Sequence, residues 1–190
     1  NGLLGSMAAF GFAKKKFPGK NFLFSLILST MMIPSQVKII PVFMMMRDLN
    51  LLNTRIALIL PLVTGFSVFL IKQFLESLPD ELLEVAYIDG CTEPMLFTRI
   101  VLPLTKPALI SLTIFSFITA WNDFIWPLVI ASDTKVQTLT LALSVLKGNY
   151  LVNYGLVMAG ATLTFLPPFL LYIFLQKQFV EGIALSGIKG

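Results

Sequence analysis

Ser77-Leu-Pro-Asp-Glu-Leu-Leu-Glu-Val-Ala-Tyr-Ile-Asp-Gly90 is a polar stretch lying between long apolar runs, and its reading decides the fold. It predicts a short helix. Pro79 suits a first turn, and Asp80 and Glu81 complement the positive end of the helix dipole. Gly90 is a stop, because it takes the left-handed conformation without steric penalty. A second short helix follows: Thr92 is its expected N-cap, Glu93 and Pro94 sit in its first turn, and Leu102-Pro103 is expected to end it. Two helices of about ten residues are marginal in water and need a surface to dock on. Leu82, Leu83, Ala86 and Tyr87 recur at helical spacing and form an apolar face, to which Glu81, Glu84 and Asp89 add acid. The pair either packs on its own chain at a membrane surface or docks a partner. A surface helix that binds anionic lipid is basic; this one is acidic, which favours a protein partner.

Outward from this loop the chain is apolar. Of 190 residues, 56% are hydrophobic and 13% charged, against about 45–50% and about 25% in soluble domains. This composition predicts an all-α integral membrane protein with lipid as its surroundings. Asn21–Met46 contains one charge, Lys38; Ile56–Ile71 has none and extends to Leu75; Pro107–Ser132 contains one, Asp123; and Gly148–Gln176 has none. A shorter run, Leu3–Ala13, is below the ~20 residues a spanning helix needs. It lacks the basic-first layout and cleavage site of a signal peptide and is expected to be the end of a truncated span. Five spans, the first incomplete, in a single domain covering 1–190 are therefore expected. Pro34, Pro41, Pro61, Pro127, Pro167 and Pro168 lie inside these runs and predict kinks and unwound turns. Lys and Arg in short loops set orientation: nine (Lys14, Lys15, Lys16, Lys20, Lys72, Arg99, Lys106, Lys177, Lys189) fall on one side and four (Arg47, Arg55, Lys135, Lys147) on the other. The loop from Lys72 to Lys106 and the carboxyl tail are expected to be cytoplasmic, and the loops near Asn50 and Gln137 to face outward. The net charge of +4 is read as this topology signal rather than as affinity for nucleic acid. One cysteine, Cys91, and no histidine leave no disulfide framework, zinc site or His-based catalytic triad in the sequence.

The spacing Glu84-Val85-Ala86, three residues, Gly90, nine residues, Ile100-Val101-Leu102-Pro103 resembles the EAA signature of ATP-binding-cassette importer permeases, with Val85 where the family usually has Ala. Phe17-Pro18-Gly19-Lys20, Trp121-Asn122-Asp123 and the ending Gly182-Ile-Ala-Leu-Ser-Gly187-Ile-Lys-Gly190 are similar to the carbohydrate branch, the maltose and multiple-sugar type. The resemblance implies a type I importer permease bundle in a bacterial or archaeal cell membrane, with residues 77–103 as a cytoplasmic coupling loop. It implies that Glu84 and Ala86 face a separate ATPase, that Asp89 and Gly90 form the turn, and that Ile100, Leu102 and Pro103 belong to the end of the element. It also implies the partners: an ATPase dimer carrying ATP and magnesium, a second and different permease subunit, and an extracytoplasmic solute-binding protein.

No Gly-x-x-x-x-Gly-Lys-Ser/Thr phosphate loop exists in the sequence; Gly19-Lys20 lacks the upstream glycine, and Asn21 replaces the hydroxyl residue. The chain is therefore expected to be a non-catalytic transport subunit. Asp123 lies roughly 24 Å into its run from Pro107, at 1.5 Å per residue. With Trp121, Asn122 and Trp126 it forms a cluster that either lines a polyol path, through amide and carboxylate hydrogen bonds and indole stacking, or belongs to an interfacial aromatic belt. Gln36 and Lys38 either border the same cavity or, for Lys38, snorkel outward; pairing of Lys38 with Asp123 is a further expectation. Gly155, Ala159 and Gly160 offer close helix approach on the last span. A glycerol phosphate permease is a second solute class. An ion-coupled transporter would want several intramembrane carboxylates and a repeat, and a membrane enzyme would want catalytic groups in the spans; the sequence offers neither.

Overall fold

The computed structural model describes the backbone of residues 1–148 and 154–187. It is helical, with no strand among the described residues. Two compact units emerge, each assembled from separate parts of the single 1–190 stretch.

The first unit comprises residues 1–33 and 63–113, joined by α12 from residue 177. It contains α1 (Gly2–Lys14), α2 (Lys20–Met32), α5 (Gly65–Glu76), α6 (Glu81–Ile88), α7 (Glu93–Leu96), a π-helical turn (Phe97–Val101), α8 (Leu102–Leu104) and the start of α9 (Lys106–Asn122). α1 packs on α5 through small residues. Ser6, Ala9 and Ser67 are fully buried, and a Cβ on Gly5 would stand 2.7 Å from the Ser67 Cβ. Small residues let two backbones approach this closely, and the short hydroxyls stay satisfied by their own helix turns: Ser6 Oγ donates to Leu3 O (2.9 Å) and Ser67 Oγ to Thr64 O (2.7 Å). Ala9, Phe10, Val68, Ile71, Leu75, Ala86, Leu96, Val101 and Leu112 form one apolar core, which joins the loop helices to α1 and α5.

The second unit comprises residues 34–62 and 114–176. It contains α3 (Ser35–Asp48), α4 (Arg55–Ile59) continued by a 3-10 turn (Leu60–Leu62), the end of α9, α10 (Ile125–Ile130), α11 (Leu139–Gly148) and most of α12 (Tyr154–Gly187). Its core gathers Met46, Ala57, Trp126, Ile130 and Ala131.

Among the described residues, only Tyr154–Gln176 is a single helix long and apolar enough to cross a membrane. Up to four such spans result if each broken helix pair counts as one. The run Asn21–Met46 breaks at Ile33–Pro34, where Ile33 is extended (φ −80°, ψ 118°); the proline ring disfavours a helical residue before it. Pro61 lies in the 3-10 turn and Pro127 in the first turns of α10. Pro41, Pro167 and Pro168 differ from expectation: they sit inside continuous helices with no unwound turn. The expected outer loop near Gln137 also differs, since its second half is α11.

Candidate functional site

The polar loop folds as helix, glycine turn, helix. Asp80 occupies the N-cap position of α6, and Glu81 and Glu84 lie in its first turn. Gly90 has φ +80°, in the left-handed region. The Cys91 N–H donates to Ala86 O (3.0 Å) and the Gly90 N–H to Tyr87 O (3.0 Å), the paired bonds of a Schellman turn. Thr92 takes the N-cap position of α7 without a side-chain cap bond, and Pro94 sits in the first turn. The element runs past Leu102-Pro103 to Leu104, and the chain bends by 71° between Glu93–Leu104 and Lys106–Asn122. Pro103 has no N–H, and its ring crowds the carbonyl four residues back. The π turn over Phe97–Val101, with Leu102 N–H reaching Phe97 O, widens the helix just ahead of it.

Two lysines at the end of α1 hold this loop. Lys14 Nζ donates to Leu78 O and to Asp80 Oδ1, each at 2.6 Å. Lys15 Nζ donates to Tyr87 Oη and Glu93 Oε1, and Tyr87 Oη donates to Glu93 Oε1 (2.8 Å). Burial pulls the Lys15 ammonium down, but the bonds to Glu93 and Tyr87 outweigh it and its pKa is raised. Hydrogen bonding from Lys14 lowers the Asp80 pKa, and bonds from Lys15 and Tyr87 lower that of Glu93. Lysines here also complement the negative end of α1.

Of the two residues expected to face a partner, Glu84 is exposed, whereas Ala86 is 4% exposed and packs into the chain's own core. Ala86 is thus corrected from a contact residue to the seat of α6: its small side chain is buried in the core that also holds Ala9 and Phe10 of α1 and Ile71 and Leu75 of α5. Leu82, Val85 and Ile88 form the outward apolar face with Glu81, Glu84 and Asp89. Asp89 is the exposed C-cap of α6, Ile100 and Leu102 are half-buried, and Pro103 is exposed.

The aromatic cluster is organised by prolines. An α-helical proline leaves the carbonyl four residues earlier without its donor. Pro61 does this to Ala57 O, which accepts from Trp126 Nε1 (3.0 Å). Pro168 does it to Thr164 O, which accepts from Trp121 Nε1 (2.9 Å). Both indoles therefore supply donors that the prolines lack, in keeping with the need to satisfy backbone groups away from water. Trp121 also stacks on Phe117 (centroids 5.3 Å apart), and its carbonyl accepts from Thr140 Oγ1 of α11 (2.8 Å). Asp123, between α9 and α10, accepts the Trp126 N–H at Oδ1 (3.3 Å). Asn122, Gln36 and Lys38 are exposed. The anticipated Lys38–Asp123 ion pair is not formed: the ion pairs among the described residues are Lys14–Asp80, Lys15–Glu93, Arg47–Asp48 and Lys72–Glu76. The small-residue stripe of the last span is used at Gly160, where a Cβ would meet Leu143 Cδ1 at 2.8 Å.

The sequence counted Lys14 and Lys15 only as orientation signals and did not anticipate their hold on the loop. The tryptophan braces were also missed. A signal for them existed, since prolines in apolar helices demand donors and the chain holds two Trp residues, but no spacing rule pairs residue 57 with 126.

A helical membrane chain with this loop is matched over residues 1–184 by the family of binding-protein-dependent transport system inner membrane components, and it belongs to that family. It is therefore a non-catalytic membrane permease subunit of an ATP-binding-cassette importer, a class that works with an ATPase and a solute-binding protein. It is 40% identical over 99% of its length to an arabinooligosaccharides transport system permease protein of Halalkalibacterium halodurans, covering 68% of that protein. It is 34% identical to a lactose transport system permease protein of Rhizobium radiobacter, covering 98% of this chain and 68% of that one. It is 36% identical to an sn-glycerol-3-phosphate transport system permease protein of Salmonella typhi, covering 93% of this chain and 64% of that one. The chain thus spans about two thirds of the length of these relatives. A crystal structure of a bacterial importer of the acidic polysaccharide alginate shares the fold, with TM-score 0.70 over 98% of this chain and 70% of that one, at 24% identity.

Proposed function

We propose that the chain is the membrane subunit of a sugar or oligosaccharide importer driven by ATP bound, with magnesium, on a separate ATPase dimer. The observation that carries this reading is the outward face of α6. Leu82, Val85 and Ile88, the last 84% exposed, stand among three unpaired carboxylates on a helix seated through Ala86. Such a face fits a partner groove that is apolar at its floor and basic at its rim. In this reading residues 77–103 and the carboxyl tail are cytoplasmic, a different permease completes the pore, and an external binding protein delivers the solute. Closure of the ATPase dimer pushes α6, and the helices alternate access; the chain's part is mechanical and electrostatic. Asn122, the free carboxylate oxygen of Asp123, Gln36 and Lys38 are the groups offered to solute hydroxyls, with Trp121 holding the segment in place.

Co-purification tests it. The whole permease is co-expressed with its neighbouring permease and ATPase as wild type, Glu84→Lys and Gly90→Pro. The expected result is ATPase retained by wild type and lost by both variants, since charge reversal repels a basic rim and proline cannot adopt φ +80°. Equal retention by all three places docking elsewhere. No retention by a folded wild type removes the importer reading. The glycerol phosphate relative makes phosphate-bearing solutes the second class; uptake of labelled arabinooligosaccharide against sn-glycerol 3-phosphate separates them.

A further inference from the structure

The acidic side chains of the loop fall into two sets. Asp80 and Glu93 turn back to Lys14 and Lys15. Glu81, Glu84 and Asp89 are exposed, and their carboxylates take part in none of the hydrogen bonds or ion pairs of the described residues. α6 itself buries a single side chain, Ala86, out of eight residues. The Ala86 methyl and the half-buried Leu83 give α6 a narrow apolar footing, too narrow by itself to fix the orientation of a helix that is pushed or pulled from its opposite face.

We propose that Lys14 and Lys15 are positioning residues that lock both flanks of α6 onto α1, so that load applied to α6 moves α1 and α5 as one body. The two lysines are adjacent in sequence but reach opposite ends of the helix. Lys14 takes the entry, through Leu78 O and Asp80; Lys15 takes the exit, through Tyr87 and Glu93. Neither cation is loosely held. The Lys14 side chain is 6% exposed. The Lys15 ammonium lies 5.1 Å from the Phe10 ring centroid and 5.2 Å from that of Tyr87. The grip continues into α5, because Phe10 and Ala9 share the apolar core with Ile71 and Leu75. Charge is the suitable material here: a carboxylate–ammonium bond at the water-facing end of a helix fixes direction, which an Ala methyl does not.

This inference rests on α6 being the ATPase contact. Its experiment uses the intact transporter in liposomes and reads two quantities: solute moved per ATP hydrolysed, and amide hydrogen exchange across residues 79–96. In the Lys14→Met/Lys15→Met variant the ATPase is expected to stay bound and to hydrolyse ATP, while solute per ATP falls. Exchange accelerates by about two- to five-fold per pair, the scale of a partly exposed ion pair. Reversing one pair, Lys15→Glu with Glu93→Lys, restores both quantities, whereas Lys15→Glu alone does not. Wild-type solute per ATP in the double-Met variant, with or without faster exchange, overturns the proposal. So does a charge-swapped protein that folds but stays uncoupled; the swap also supplies the answer if the double-Met variant does not fold. If wild type binds no ATPase, the functional reading above fails instead, and exchange in the permease alone still reports whether the lysines hold the loop.

Discussion

The polar loop of the first unit and the aromatic–proline segment of the second solve opposite problems. Helix α6 of the loop has little to bury and is held largely by charge: two lysines, two carboxylates, a tyrosine hydroxyl and one glycine turn. The aromatic segment has much to bury but contains prolines that strip donors from carbonyls, and it is held by two indole N–H groups placed on those carbonyls. The first kind of site can be written as a local pattern, because N-cap, acidic first turn and stop glycine are neighbours in sequence. The second cannot, because donor and acceptor are joined only by the fold. The two kinds of hold also answer different perturbations.

The largest effect is expected beneath the loop. Gly5→Val adds a Cβ where Ser67 Cβ and its carbonyl carbon lie at 2.7 and 3.3 Å. α1 must lift from α5, at a cost toward the upper end of the ~1–3 kcal/mol typical of overpacking. Thermal unfolding of the detergent-purified protein reads the loss, and exchange across 79–96 should rise with it, because the lysine-bearing end of α1 moves. A destabilised protein whose loop stays protected would separate the loop from its floor.

Next comes Trp126→Phe. Trp126 is 9% exposed and its indole is the donor to Ala57 O. Phenylalanine leaves that carbonyl unsatisfied, which costs about 1–3 kcal/mol. In a Pro61→Ala background the new N–H can serve Ala57 O, so most of the cost of losing the indole should vanish. Trp121→Phe with Pro168→Ala repeats the cycle at a half-buried site, where about 1 kcal/mol is expected and loss of the Trp121 penalty in the alanine background is again the diagnostic. Additive costs in either cycle would show that the indole matters for its volume and not for the orphaned carbonyl.

Much of the fold was legible because lipid-facing composition and loop charge are strong, local signals: the helical class, the turn at Gly90 and the break at Pro34 all follow from residue type and immediate neighbours. The misses share a cause. Pro167 and Pro168 read as an unwound turn, yet α12 runs through them, with Thr164 O supplied by Trp121 from another helix. Ala86 reads as outward from the signature it shares with the importer permeases, but a signature names a residue without saying which surface lies beneath it. Lys38 and Asp123 were matched by depth along separate runs, but Asp123 Oδ1 is taken by the Trp126 N–H three residues on. Equal depth along two separate runs does not bring two side chains together. Trp121 therefore moves from a stacking platform for solute toward a structural brace, leaving Asn122 and the free oxygen of Asp123 as the polar groups to mutate first.

The smallest effect separates the two regions most cleanly. Glu93 and Asp80 have pKa values lowered from the ordinary 4.5 and 3.8 by their lysines. Their contribution to holding the loop is complete at neutral pH and fades as pH falls below those ordinary values and through the lowered ones. Lys15 is raised above its ordinary 10.5, so its contribution is complete below that value and is lost as pH climbs through the raised one. With no histidine in the chain, neither ion pair gains or loses a charge between these two ranges. Loop protection across 79–96, corrected for intrinsic exchange, should be flat from about pH 5 to about pH 10 and decline on both sides. It should also weaken between low and high salt, because the partners are partly exposed. Protection around Ala57, whose carbonyl takes the Trp126 indole N–H, should follow neither variable, since that bond carries no net charge. Matching pH and salt responses in the two regions would mean that the loop, too, is held by packing, and that its lysines are solvated bystanders.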